Sequence, residues 1–240
     1  MIKDLIRKIA LREKYSSTTF VDYLKRRGVE IGEDCYIPDP SSTLIDLSAP
    51  WLITMGSNVN IAHGVVILTH DFGWAVLKKT GKLKGSVLGA QAPVKIGSNV
   101  FIGVNTIITK GVTIGDNVVI GANCVVSKDC ESNSVYAGNP ARKVMTLDEY
   151  ADRRESSQLA EAKELALAYR EKFRCEPEKE LFSEYFMLFC TADEAAAVPK
   201  FRSQMNECEN YDDTIAYMNS RKPMFDSYEE FLKYCYTDSE

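Results

Sequence analysis

Histidine is nearly missing from this chain: two residues, His63 and His70, serve 240 positions. That scarcity limits the chemistry open to it. Cysteine pairs are missing too. The seven cysteines, Cys35, Cys124, Cys130, Cys175, Cys190, Cys208 and Cys235, are odd in number and include no CxxC, so reduced thiols in a reducing cytosol are expected. No run approaches the ~18 apolar residues a membrane helix needs. The opening MIKDLIRKIALREKY alternates charge with apolar residues and has no uninterrupted apolar core, so no signal peptide is expected and a cytoplasmic location is. Neither GxGxxG nor GxxxxGK[ST] occurs, which removes dinucleotide and ATP sites of those types.

Charge is present but unevenly spread. Residues 1–146 hold 17 Lys and Arg against 12 Asp and Glu, and residues 147–240 hold 12 against 22. A boundary near 146 therefore separates a mildly basic part from an acidic one. The acidic part has no clustered cations for phosphate contacts, which argues against nucleic-acid binding there. The basic surplus of the first part suits a small anionic ligand better than a duplex.

The middle of the chain repeats every six residues. Ile96, Ile102, Ile108, Ile114, Ile120 and Val126 stand at one phase, and Val100, Thr106, Val112, Val118, Cys124 and Cys130 stand four residues after each. Between them lie Asn99, Asn105, Gly111, Asn117, Asn123 and Asp129. An upstream block runs in its own phase through Ile31, Ile37, Thr43, Ala49, Met55, Ile61 and Ile67, with Thr43 and Ala49 as weak members. Six residues fit neither a helical turn nor a heptad. They fit strands of ~3–4 residues joined by corners where Gly, Asn and Asp supply unusual backbone angles. One such turn of chain cannot bury its apolar face alone, whereas stacked turns bury it continuously. The first and fifth positions face the interior, so Cys124 and Cys130 are expected to be small core residues.

IGSNVFIGVNTIITKGVTIGDNVVIGANCVVSKD followed by VYAGNPARKV resembles the hexapeptide-repeat acyltransferases, most of all the galactoside and maltose O-acetyltransferases and the capsule-type sugar O-acetyltransferases. The likeness covers about residues 29–146. It implies an all-β, left-handed parallel β-helix with three hexads per coil, and a homotrimer whose active sites lie between neighbouring subunits. Acetyl-CoA is the implied donor. By position Val104 in FIGVN and Ala122 in IGANC match backbone contacts to the pantetheine arm, Ser127 and Lys128 in VVSKD match the next coil, and Arg142 matches a basic residue near the nucleotide. Asn139 and Pro140 close the last coil. Phe101 stands where the family often has Trp, and Met145 where a second Arg is common.

The repeat breaks once. Ile67 and Ile96 are 29 positions apart, not a multiple of six, so the chain leaves the solenoid over about residues 70–93. Irregular segments on a rigid scaffold are where binding groups tend to sit. The excursion carries His70, Asp71, Trp74, Lys78, Lys79, Lys82 and Lys84. Acyl transfer to an alcohol needs a base for the hydroxyl proton and fixed donors for charge on the thioester oxygen. Neutral imidazole and backbone N–H groups at corners suit those tasks. The resemblance places the catalytic histidine here, and His70 is assigned as general base. His63, two residues past Ile61, is expected at a solvated outward corner. Asp71 has two roles open to it, orienting His70 or binding an acceptor hydroxyl. Trp74 either stacks on a sugar face or anchors the loop.

Residues 1–28 are expected to be helical, with an amphipathic stretch over 2–13 marked by Ile2, Leu5, Ile6 and Ile9, and a second helix over 18–27 closed by Gly28. Residues 147–240 form an acidic helical extension, with one long helix over 147–174 and two more in LFSEYFMLFC and DSYEEFLKYCY.

The leading reading is an acetyl-CoA-dependent O-acetyltransferase acting on a sugar or glycan-precursor hydroxyl by direct attack, with no metal required. Alternatives keep the fold but acetylate an antibiotic or a serine hydroxyl, or keep the solenoid as a non-catalytic assembly module. Some trimers of this fold hold zinc with three histidines, which here would have to come from two positions across an interface. Neither membrane insertion nor nucleic acid is expected.

Overall fold

The computed structural model describes residues 8–237, which fall into two compact units, Met1–Ala151 and Asp152–Glu240. The amphipathic stretch expected over 2–13 lies partly outside the described residues; residues 8–11 are helical and a 3₁₀ turn, Arg12–Lys14, follows. Helix α1 (Ser17–Arg27) starts on a Ser16 capping box and stops at Gly28, whose φ of 101° is left-handed, as the sequence predicts.

The first unit is then built from thirteen short strands. They are β1 (Glu30–Ile31), β2 (Leu44–Ile45), β3 (Ile53–Met55), β4 (Val59–Ile61), β5 (Val66–Ile67), β6 (Val94–Ile96), β7 (Val100–Ile102), β8 (Ile107–Ile108), β9 (Thr113–Ile114), β10 (Val118–Ile120), β11 (Val125–Val126), β12 (Ser134–Ala137) and β13 (Arg142–Thr146). Three sheets result, ordered β1-β3-β6-β9, β4-β7-β10-β12 with β13 on its end, and β2-β5-β8-β11. All pairs are parallel except β12–β13. Successive strands thus enter successive sheets, and each coil lays its strands on those of the coil before.

The six-residue period is the cause. Ile96, Ile102, Ile108, Ile114, Ile120 and Val126 are all 2 % exposed or less, and the fifth-position residues, Cys124 and Cys130 among them, are buried with them. Burial pushes the Cys130 thiol up to about 12, as expected of a core residue and not of a nucleophile. Corners are fixed by two devices. A Cβ on Gly97 would lie 2.7 Å from the Gly115 carbonyl carbon, so only glycine lets neighbouring coils approach there. One residue after the Ser/Asp that follows, Asn58, Asn99, Asn117 and Asn133 adopt φ of 54–57° and pass side-chain amide hydrogen bonds of 2.9 Å up the stack.

The upstream phase is corrected at two points. Ile45, not Thr43, pairs with Ile67. Extra residues enter at Asp39–Ser42, so Thr43 falls beside Val65 at a fifth position, and more enter around the 3₁₀ turn Pro50–Leu52.

Helix α2 (Trp74–Lys79) lies between β5 and β6, and helix α3 (Leu147–Phe173) begins within the first unit and runs into the second. It is followed by α4 (Ala192–Ala197), α5 (Pro199–Met205), α6 (Tyr211–Asn219) and α7 (Tyr228–Tyr236). LFSEYFMLFC is not the expected helix. It forms two 3₁₀ turns, Lys179–Phe182 and Phe186–Leu188. Phe182, Phe186, Leu188, Phe189 and Cys190 are all buried, and one α-helix face cannot point all five into one core. Among the described residues no helix is long and apolar enough to cross a membrane.

Candidate active site

Strand β5 ends at Ile67, and the chain then turns outward at the corner between the β2-β5-β8-β11 sheet and the β1-β3-β6-β9 sheet. His70 stands at that turn. It bridges antiparallel to Gln91, while Asp71 N–H donates to Ala90 O and Ala92 N–H to Thr69 O. The two arms of the excursion are therefore clasped at their root, and His70 sits in the clasp.

His70 Nδ1 lies 2.5 Å from Asp46 Oδ2. Asp46 follows β2, one coil below, and is 7 % exposed. Its carboxylate also accepts from Thr69 N–H (3.0 Å), Thr69 Oγ1 (2.6 Å) and Ser48 N–H (3.0 Å). Burial alone would push this carboxyl up, but the hydrogen bonds from Thr69, Ser48 and His70 hold it well below the usual carboxylate range. An ionised Asp46 accepts, so Nδ1 carries the proton and donates, with Ser48 Oγ 3.2 Å away as a second neighbour. In the neutral ring Nε2 is then the nitrogen with the lone pair. The ring is 44 % exposed, and Nε2 makes no hydrogen bond among the described residues.

Asp71 does not perform the orienting role. Its Oδ2 pairs with Lys110 Nζ at 2.9 Å and its Oδ1 accepts from Gly73 N–H. The Lys110 ammonium, with Gly73 N–H, lowers its pKa. Asp46 and Lys110 are the residues the sequence reading missed. Asp46 is the last acid before the excursion, and Lys110 is two residues past Ile108, as Lys128 is past Val126. Those offsets are the signal that was present.

The register places the other residues on two corners. Ile61, Ile102 and Ile120 are laterally paired, so His63, Val104 and Ala122 share one corner. The N–H of Asn105 donates to His63 O and that of Asn123 to Val104 O. Val104 is 40 % exposed and Ala122 is exposed, and among the described residues neither N–H donates within the chain. Ser127 and Lys128, both exposed, lie on the other corner with Lys110 and the His70 root. Within one copy the two groups are thus not brought together. They flank the β2-β5-β8-β11 sheet, whose outward residues are Leu44, Val66, Ile107 and Val125.

Asn139 and Pro140 are joined by a cis peptide and lie over β11, where Ala141 N–H donates to Val125 O. Arg142 opens β13, exposed, with its guanidinium donating to Ala141 O. Trp74 opens a short helix, α2 (Trp74–Lys79), half-buried, with its ring edge-on to Phe72 at 4.9 Å. His63 is exposed, as expected, yet paired: Nδ1 lies 2.6 Å from Asp39 Oδ2. The Ser41 hydroxyl, followed by His63 and Ser42, holds the Asp39 carboxyl low. Among the described residues no group of three or more His, Cys, Asp or Glu could hold a metal ion.

This register of hexads agrees with the family-model match. Residues 93–128 match the model of the hexapeptide repeat of succinyl-transferase. Protein CapG of Staphylococcus aureus is 42 % identical over 130 residues, which is 54 % of this chain and 72 % of that protein. The chain belongs to the hexapeptide-repeat acyltransferases. Among solved structures, a maltose O-acetyltransferase from Clostridium difficile 630 is 30 % identical over 60 % of this chain and 81 % of its own, with a TM-score of 0.40. A galactoside acetyltransferase in complex with coenzyme A is 27 % identical over 62 % and 83 %, with a TM-score of 0.44.

Proposed function

We propose that this acyltransferase is an acetyl-CoA-dependent O-acetyltransferase whose acceptor is a hydroxyl of a sugar or glycan precursor, and that His70 is its general base. One observation carries the reading: a half-exposed imidazole whose Nδ1–H is held by a buried, ionised carboxylate, leaving Nε2 open. Nε2 accepts the acceptor's hydroxyl proton as that oxygen attacks the thioester carbon. The bond to sulfur breaks, the leaving thiolate takes that proton from the imidazolium, and no acyl-enzyme is formed. The unused N–H groups of Val104 and Ala122 fit the amide carbonyls of a pantetheine arm. Ser127, Lys128 and Arg142 supply polar and cationic partners for its phosphates, with Asn139 and Pro140 shaping that end. Asp71 and Trp74 are assigned to the acceptor.

The coils form a left-handed β-helix in this reading, and three copies pack through the outward β2-β5-β8-β11 sheet. Its apolar outer residues suit burial. Packing there would bring the Val104–Ala122 corner of one copy beside the His70–Lys128 corner of another, joining donor groove and base. The test is free-CoA release against a panel of sugars, antibiotics and serine. A His70→Ala variant should lose ~10²–10⁴-fold in kcat while keeping its Kd for acetyl-CoA. A near-normal rate would remove the assignment.

A further inference from the structure

The excursion that begins at His70 is folded. Asp71 N–H bonds Ala90 O, α2 follows, a 3₁₀ turn Gly81–Leu83 comes next, and Gly85 N–H returns to Lys78 O at 2.7 Å. Inside this fold is an open groove of about 690 Å³, lined by Phe72, Trp74, Ala75, Lys78, Lys79, Lys84 and Gly85. Phe72 is two residues from His70, so the groove's lining begins within ~7 Å of chain from the base.

Its charge is of one sign. Between Asp71 and Asp116 the sequence has Lys78, Lys79, Lys82, Lys84, Lys95 and Lys110 and no Asp or Glu. Among the described residues Lys79, Lys82 and Lys84 form no ion pair, and Lys78 meets only the Trp74 ring, at 5.8 Å. Lys110 is already neutralised by Asp71. Three lysines thus line one concave surface beside an aromatic pair, and the loop's one acid, Asp71, is already paired with Lys110. Like charges held together without counter-charges are stabilised by an anion that spans them. A neutral sugar would leave them uncompensated.

We propose that this groove binds a pyrophosphate group carried by the acceptor, so that the hydroxyl presented to His70 belongs to a sugar in diphosphate linkage. Lys78, Lys79 and Lys84 hold the phosphate oxygens, and Phe72 and Trp74 take the adjoining ring or chain. This rests on the acyl-transfer reading above and adds the class of acceptor. A nucleotide and a lipid present the same chemistry to the lysines, and the test separates them.

The probe is inorganic pyrophosphate, titrated calorimetrically into the full chain with and without saturating CoA, so that the donor's own phosphate site is filled in one arm. Wild type should bind in both arms. Lys78→Gln/Lys79→Gln/Lys84→Gln should weaken binding at least 10-fold with the acetyl-CoA Kd unchanged, and the triple Lys→Arg variant should restore most of it. In turnover, a nucleoside-diphosphate hexose or a detergent-solubilised lipid-diphosphate hexose should show at least 10-fold higher kcat/KM than the free hexose, and the Gln variant should erase that ratio through KM. Whichever of the two is preferred names the source. Equal pyrophosphate affinity in wild type and Gln variant, or a free hexose used as well as both diphosphates, overturns the proposal. Failure of CoA itself to bind overturns the donor reading instead, and leaves the pyrophosphate arm to decide this one.

Discussion

Asp46 is the residue on which His70 depends. Neutralising it in Asp46→Asn keeps the size but removes the charge that favours Nδ1–H donation, and the imidazole can then turn or change tautomer. We expect kcat to fall ~10²–10⁴-fold with little change in acetyl-CoA Kd, read by free-CoA release. The same carboxylate leaves a mark on stability. Its folded pKa is depressed, as is that of Asp39, so the stability each contributes is fully present above the ordinary carboxylate pKa of ~3.9. It is lost as pH falls below that value. The urea midpoint should therefore drop steeply below about pH 4, and the double variant Asp39→Asn/Asp46→Asn should show a shallower drop in the same titration. The excursion that carries His70 was legible in the sequence because the period fails there. Asp46 was not, since corner insertions shift the first coil out of phase and hide which residue the next coil sets against it.

Strands of two to five residues cannot hold themselves together, and here the corners do that work. Asn99 is the measurable case, with φ of 56° and side-chain bonds to Asn58 below and Asn117 above. Asn99→Ala should cost ~1–2 kcal/mol for the left-handed backbone plus ~1 kcal/mol for each lost hydrogen bond, whereas Asn99→Gly should cost only the hydrogen bonds. Urea unfolding of the pair separates the two contributions; equal losses would mean the backbone angle does not matter there. Elements of this kind were readable because every hexad repeats the same chemistry. LFSEYFMLFC misled for the opposite reason. It is a single non-repeating segment, and its aromatic density marks it as core without saying which backbone buries it.

At the scale of the molecule, the outward residues of one sheet are apolar in every coil: Leu44, Val66, Ile107 and Val125. If copies associate through this face, Ile107→Asp should convert a trimer to monomers by analytical ultracentrifugation and abolish turnover, although His70 is untouched. The acidic second unit has its own buried cluster, Phe182, Phe201 and Phe231 at its centre. That chain was visible beforehand as a change of charge sign and as a long helix, but its fold was not, because no period runs through it.

Each end of the coil stack carries a segment that is not a further parallel rung. At one, Phe20, Val21 and Leu24 of α1 join the buried cluster of Ile31 and Ile37. At the other, β13 runs against the direction of all the strands beneath it, and its residues Arg142 and Lys143 are exposed. A parallel ladder would otherwise offer its last rung as a template for another molecule's first. Reversing one strand and charging it makes the next rung wrong in both direction and chemistry, so the protein can stack parallel rungs and still not grow into a fibre.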